Sequence, residues 1–223
     1  GVKLFISYTY YVLFKYYLNK IDLDYTMGNS VISTMAESIN TGSLHLKVGP
    51  MYAGKTSKLI ETYEECLYND EKTIVLTHSA EIRYSIDKLS THDQKKISCF
   101  KCESIKSFMN DYKDEIESCK FILIDEGQFF HDLTETLYLV NTLNKHLFVF
   151  GLDGDFQRNK FGQILDLIPH CDTVEKMSAT CSICRRSAIF SDRMNESTEQ
   201  TQVGSCGMYR PLCRECYNSN ITH

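Results

Sequence analysis

At 223 residues the chain can bury one full core and carry a small appendage, and an apolar content of 43% is that of a globular protein. The net charge of −5 excludes a broad basic surface able to neutralise nucleic-acid phosphates; Lys95, Lys96 and Lys101 make only a local run, so no nucleic-acid partner is expected. Ten cysteines without a secretory context point to a reducing compartment, where close cysteine spacing means metal rather than disulfides.

Residues 1–43 read as an extension outside the core, disordered or not native to it. Val2 to Leu18 is rich in Tyr, Phe, Leu and Val, but Lys3 and Lys15 interrupt it. It is short for a membrane span and lacks a small-residue cleavage site, so no membrane association is expected. Met27 and Met35 would each make a sensible alternative start.

Leu44–Val48 alternates like a strand. Gly49-Pro50-Met51-Tyr52-Ala53-Gly54-Lys55-Thr56 follows, and fits G-x-x-x-x-G-K-[ST], the phosphate-cradling P-loop. Its glycines permit a turn whose N–H groups converge on an anion, and the next helix adds its positive end. Lys55 reaches the β- and γ-phosphates, and the Thr56 hydroxyl suits Mg²⁺. Leu59, Ile60, Tyr63, Cys66 and Leu67 fall on one helical face, giving the strand–loop–helix context a P-loop requires.

Lys72–Thr77 reads as a second buried strand and residues 79–94 as a polar loop. Ile105–Ile116 is predicted helical, Phe121–Ile124 a buried strand, Leu133–Leu143 a helix and Leu147–Phe150 another buried strand. Alternating strands and helices predict an α/β fold with a mostly parallel sheet flanked by helices, of the P-loop, RecA-like kind. Such sheets bind ligands beyond the carboxyl ends of their strands, so Gly49, Asp125 and Leu152 should share one face.

Asp125-Glu126 closes the strand at Phe121–Ile124. Asp125 is expected to hold Mg²⁺; Glu126 is expected either to take a proton from an attacking hydroxyl or to activate water. Phe129 and Phe130 follow at once, and Phe156 follows the next strand within Leu152-Asp153-Gly154-Asp155-Phe156-Gln157-Arg158. Aromatic residues at strand ends suit stacking on a flat base, and equally suit the core.

Beyond residue 177 the texture changes to cysteines, charges and glycine. Cys181-Ser182-Ile183-Cys184 and Cys213-Arg214-Glu215-Cys216 are two C-x-x-C knuckles able to complete a tetrahedral zinc site with no open position, hence a structural one. Cys99-Phe100-Lys101-Cys102 lies in a predicted strand that would split its two thiols between opposite faces, and reads as incidental. The predicted domains are the extension 1–43, a nucleotide-binding domain 44–176 and a small C-terminal zinc-binding domain 177–223.

These motifs, in this order, closely resemble the type II thymidine kinases of animals, bacteria and large DNA viruses, from about Leu44 to Tyr217. The resemblance implies phosphorylation of thymidine by ATP with Mg²⁺, a structural Zn²⁺ on Cys181, Cys184, Cys213 and Cys216, a homotetramer and a cytoplasmic location. It implies Glu126 as the base for the 5′-hydroxyl, with Asp125 and Gln128 among the ATP-binding residues beside the Gly49–Thr56 loop. Phe129 and Phe156 would flank the thymine. Gln200, Thr201, Gln202, Val203 and Gly204 would bind the pyrimidine edge through the main chain, on a zinc-tied loop that closes over the nucleoside. Tyr209, Leu152 and Met51 would line the pocket near the 5-methyl group. Arg83 and Arg158 are the candidates for an assisting arginine. The first 43 residues have no counterpart in the family core, and Ser205 replaces the second glycine of a frequent Gly-Gly pair.

One rival reading is a P-loop NTPase with a zinc ribbon acting on nucleic acid, which would need basic surface and motor motifs. A GTPase would need an acid where Leu147 follows Asn144-Lys145-His146. A non-catalytic scaffold is hard to reconcile with intact Lys55, Thr56, Asp125 and Glu126.

Overall fold

Alternation in β1, Ser43–Val48, turns Leu44, Leu46 and Val48 into the main core and His45 and Lys47 to the other face. The computed structural model describes residues 41–80, 88–90, 96–195, 200 and 208–221, with 88–90, 96–98 and 221 described by backbone alone. The N-terminal extension therefore lies outside the described residues, apart from its last three.

After β1 come α1 (Lys55–Tyr68), β2 (Thr73–His78), the short strands β3 (Lys88–Ser90) and β4 (Lys96–Ser98), and β5 (Phe100–Cys102). Then follow α2 (Ile105–Asp111), α3 (Lys113–Ser118), β6 (Phe121–Asp125), α4 (Thr136–Asn141), β7 (His146–Gly151) and β8 (Thr173–Lys176). The central sheet has six strands in the order β5-β2-β6-β7-β1-β8, every neighbouring pair parallel. Continuous apolar runs in β6 and β7 are buried along their whole length, as a sheet covered on both faces demands. The fold is the α/β class that the alternation of elements predicts.

Five details differ from the periodicity. The helix expected over Ile105–Ile116 breaks at Tyr112 (φ −125°, ψ 42°), whose ring packs 4.7 Å from that of Phe100. That packing takes Tyr112 out of helical geometry while α3 still buries Ile116. The helix expected over Leu133–Leu143 is a 3₁₀ turn, Leu133–Glu135, running into the shorter α4. Leu67, expected on the buried face of α1, is 52% exposed, because the last turn carries Leu67 and Tyr68 past the surface that covers Leu59, Ile60 and Cys66. The polar segment 79–94 contains β3, paired antiparallel with β4. The edge strand β8 left no apolar signal, since its four residues are all exposed.

The C-terminal residues make two small antiparallel pairs, β9 (Ala179–Thr180) with β10 (Ser187–Ala188) and β11 (Phe190–Arg193) with β12 (Tyr209–Leu212), followed by α5 (Arg214–Ile221). They share a separate small core of Cys181, Ala188, Leu212, Cys213 and Tyr217. Among the described residues no helix is long and apolar enough to cross a membrane.

Candidate active site

The loop Gly49–Thr56 leaves the carboxyl end of β1 and enters α1 at Gly54, whose φ of 79° is left-handed and suits glycine. A side chain at Gly49 would strike the Met177 carbonyl at 2.5 Å, so the first glycine of the motif is required by packing as well. Lys55 is buried, and its ammonium donates to the carbonyls of Gly49 (3.0 Å) and Pro50 (2.7 Å), holding the cation over the concave side of the loop. The Thr56 hydroxyl donates to Asp125 Oδ2 at 3.4 Å, which joins the start of α1 to the end of β6. That pair is where a hard cation favouring oxygen ligands would sit.

Asp125 ends β6, and Glu126 then turns the chain with φ 53° and ψ 41°. A left-handed glutamate is strained by about 1 kcal/mol or more, and such strain survives where the surroundings fix it. Both carboxylates are buried, at 1% and 8% exposure. Gln128, itself buried, donates from Nε2 to Glu126 Oε2 at 2.6 Å and accepts the Leu152 N–H on Oε1 at 2.9 Å. The ends of β1, β6 and β7 thus meet along one sheet edge, and Gly49 N–H donates across it to the Gly151 carbonyl at 3.3 Å.

Of the aromatic candidates, Phe130 belongs to the core at 0% exposure. Phe129 stays partly exposed, edge-on to Phe161 with centroids 5.6 Å apart. Phe156 is also partly exposed, and the Arg193 guanidinium lies 3.8 Å from its ring centroid. Arg193, buried on β11, also donates to Tyr209 Oη at 2.5 Å and to the Gln200 carbonyl at 3.1 Å. Gln200 in turn donates to Asp155 Oδ2 at 2.8 Å. On the same strand, Ser191 Oγ accepts the Met51 N–H at 2.9 Å, which ties β11 to the phosphate loop.

Cys181, Cys184, Cys213 and Cys216 bring their sulfurs within 4.8 Å of one another. Tetrahedral zinc with Zn–S bonds of about 2.3 Å needs S···S edges of about 3.8 Å, so the donor set fits after slight contraction. Burial opposes ionisation of Cys181, but backbone N–H donors at Cys184, Cys213 and Ile183 overcome it and bring the thiol down to about 6. Arg186 lowers Cys184. Cys216 is pushed up to about 12 by burial and then by its three sulfur neighbours, a conflict that a divalent cation among four thiolates removes. None of the described cysteines is in a disulfide.

A family model described as thymidine kinase matches residues 42–217, most of the chain. The curated thymidine kinase of Oryza sativa subsp. japonica is 35% identical over 197 residues, covering 87% of this chain and 73% of the rice protein. Thymidine kinase 1 of Dictyostelium discoideum is 34% identical over 183 residues, 80% of this chain and 79% of its own length. The thymidine kinase of Vaccinia virus (strain Tian Tan) is 35% identical over 179 residues, 80% of this chain and 98% of the viral protein. The chain belongs to the thymidine kinase family. It is therefore an enzyme of the nucleoside-kinase kind, and the resemblance carried by its motifs is borne out.

For this family member the structure brings together the phosphate loop, Asp125, Glu126, Gln128 and Leu152 at one sheet edge, with Met51 tied to Ser191 beside them. Phe156, Tyr209 and Gln200 gather around Arg193. Thr201, Gln202, Val203, Gly204 and Arg83 lie outside the described residues. Arg158 sits against α5, with its guanidinium 4.9 Å from the Tyr217 ring and Nη1 donating to Asn218 at 3.3 Å. Sequence reading passed over Ser191 and Arg193. The available signal was their alternation on a strand, two buried polar residues two apart, in a segment without an apolar run to announce it.

Proposed function

We propose that this family member transfers the γ-phosphoryl group of ATP to the 5′-hydroxyl of thymidine. The observation that supports the reading is the hydrogen bond from Thr56, at the end of the loop, to Asp125, with the buried carboxylate of Glu126 next in the chain and buried Lys55 on the same loop.

In this reading Gly49–Thr56 cradles the donor phosphates, and Lys55 exchanges its loop carbonyls for the β- and γ-phosphate oxygens. Thr56 and Asp125 would hold Mg²⁺, which would supply charge screening for the phosphoryl group. Glu126 accepts the proton of the 5′-hydroxyl as the oxygen attacks, and its strained backbone aims the carboxylate at that proton. Phe129 and Phe156 flank the base, while Met51, Leu152 and Tyr209 line the side of its 5-methyl group. Gln200 and the segment 201–204 bind the pyrimidine edge. Excluding water keeps the hydroxyl ahead of hydrolysis.

We assign 44–176 as the nucleotide-binding domain and 177–223 as the zinc-binding domain, a division supported by the separate small core around Cys181 and Cys213. The four cysteines hold a structural Zn²⁺. A cytoplasmic location and a homotetramer both rest on the family resemblance alone. The direct test supplies purified enzyme with Mg-ATP and each of thymidine, deoxyuridine and deoxycytidine. Thymidine monophosphate is the expected major product; failure to phosphorylate any of the three would sink the proposal.

A further inference from the structure

Gln128 is almost wholly buried, at 1% exposure, and both ends of its amide are committed. A backbone N–H can only donate, so the bond from Leu152 identifies the amide oxygen and fixes which way the side chain is flipped. The NH₂ must then face Glu126, to whose carboxylate it donates at 2.6 Å, a close bond to a charged acceptor.

The surroundings are shaped to this one residue. A Cβ at Gly151 would stand 2.4 Å from Gln128 Oε1, and a Cβ at Gly162, where φ is +58°, would stand 2.1 Å from the Gln128 carbonyl. One glycine ends β7, against the side-chain oxygen, and the other lies beyond the Phe156 loop, against the main-chain carbonyl. Neither can gain a side chain without moving Gln128. One end of the amide therefore grips the carboxylate after β6, and the other grips the first residue after β7.

We infer that Gln128 is a positioning residue, one that locks the Glu126 carboxylate and the Leu152 wall of the acceptor pocket in a single fixed relation. The inference rests on the reading of Glu126 as the base. It gives Gln128 a task other than phosphate contact, since its hydrogen bonds join two parts of the acceptor side. Phosphoryl transfer depends on near-attack geometry, and a displacement of about 1 Å can cost about 100-fold in rate.

The test compares wild type, Glu126→Gln, Gln128→Met, Gln128→Glu and the double variant Glu126→Gln/Gln128→Met. Methionine keeps length without either bond; glutamate keeps the acceptor for Leu152 but sets a second carboxyl against Glu126, so that the pair shares a proton and Glu126 becomes a poorer base. Labelled thymidine extends the range to slow variants, and thermal melting checks folding. Both Gln128 variants should lose about 10- to 100-fold in kcat with KM for ATP changed less than about twofold, and the double variant should match Glu126→Gln within about twofold. If Gln128→Met does not fold, Gln128→Glu keeps the test open: the proton shared with Glu126 should move the acid limb of its kcat–pH profile to higher pH, and an unmoved profile would overturn the inference.

Three other results would overturn the inference: undiminished kcat in both Gln128 variants, a raised KM for ATP at unchanged kcat, or a further full loss on adding Gln128→Met to Glu126→Gln. Near-normal kcat in Glu126→Gln would instead remove the base reading, a separate and recognisable failure.

Discussion

The Arg193 guanidinium sits 3.8 Å from the centroid of the Phe156 ring, while the same group holds the Tyr209 hydroxyl and the Gln200 carbonyl. One cation thereby fixes an aromatic from the loop after β7 against two residues of the C-terminal unit. Phe156 keeps its orientation through this stack and through the Tyr217 hydroxyl, which donates to its carbonyl.

Replacing Arg193 with Met should loosen the nucleoside pocket. A buried cation–π contact is worth about 0.5–2 kcal/mol, so KM for thymidine should rise about 2- to 30-fold, with KM for ATP little changed. Steady-state kinetics with each substrate varied would check this. An equal rise in both constants would point to general disruption.

In the proposed reaction Glu126→Gln removes the proton acceptor and keeps the shape. General-base assistance is worth about 10²–10⁴-fold, and kcat should fall by that much. ATP binding, followed by equilibrium titration in the presence of Mg²⁺, should persist. A variant with near-wild-type turnover would exclude Glu126 as the base.

Metal removal should act on the C-terminal unit first. Its own buried core is five residues, too small to hold four strands without a cross-link. Chelation with verified metal loss, or Cys213→Ser, should lower the melting temperature and raise KM for thymidine through the β11–β12 pair. Unchanged melting and KM in metal-free protein would count against a structural metal there.

Acid should weaken the opposite end of the sheet. His45 and His146 are buried, and Ser43 Oγ lies 3.0 Å from His45 Nε2 and 2.8 Å from His146 Nδ1, while His45 Nδ1 meets Thr173 Oγ1 at 2.8 Å. Burial lowers His45 from 6.5 to about 4, against the pull of the Asp172 carboxylate and with help from His146 and Lys47. His146 is lowered by burial and then by Lys120. Each folded-state pKa lies below its unfolded value, so the unfolded chain binds the extra protons. Stability is therefore full above about pH 6.5 and falls towards about pH 4, by about 1–3 kcal/mol for His45. Urea unfolding across that range should show the loss, and His45→Asn should flatten it. A wild-type slope retained in His45→Asn would place the titration elsewhere.

Length, charge and the spacing of a few residues determined the fold class and the family of this protein. Gly49 to Thr56 fixes a strand–loop–helix, because a phosphate nest has one short backbone solution. Buried parallel strands such as Phe121–Ile124 must be apolar throughout, which makes them visible in sequence, and four cysteines in two knuckles have few other uses. These signals are local, set by the nearest few residues. Exposed β8 carries no apolar code, and Tyr112 breaks its helix for a ring contact with Phe100, so neither could be read in advance. The positions of Ser191 and Arg193 depend on how the C-terminal strands fold back on the phosphate loop and the Phe156 segment. Tertiary structure alone decided that Gln128 would face Glu126 rather than open space, because the Leu152 N–H that orients its amide is brought there only by the pairing of β6 with β7.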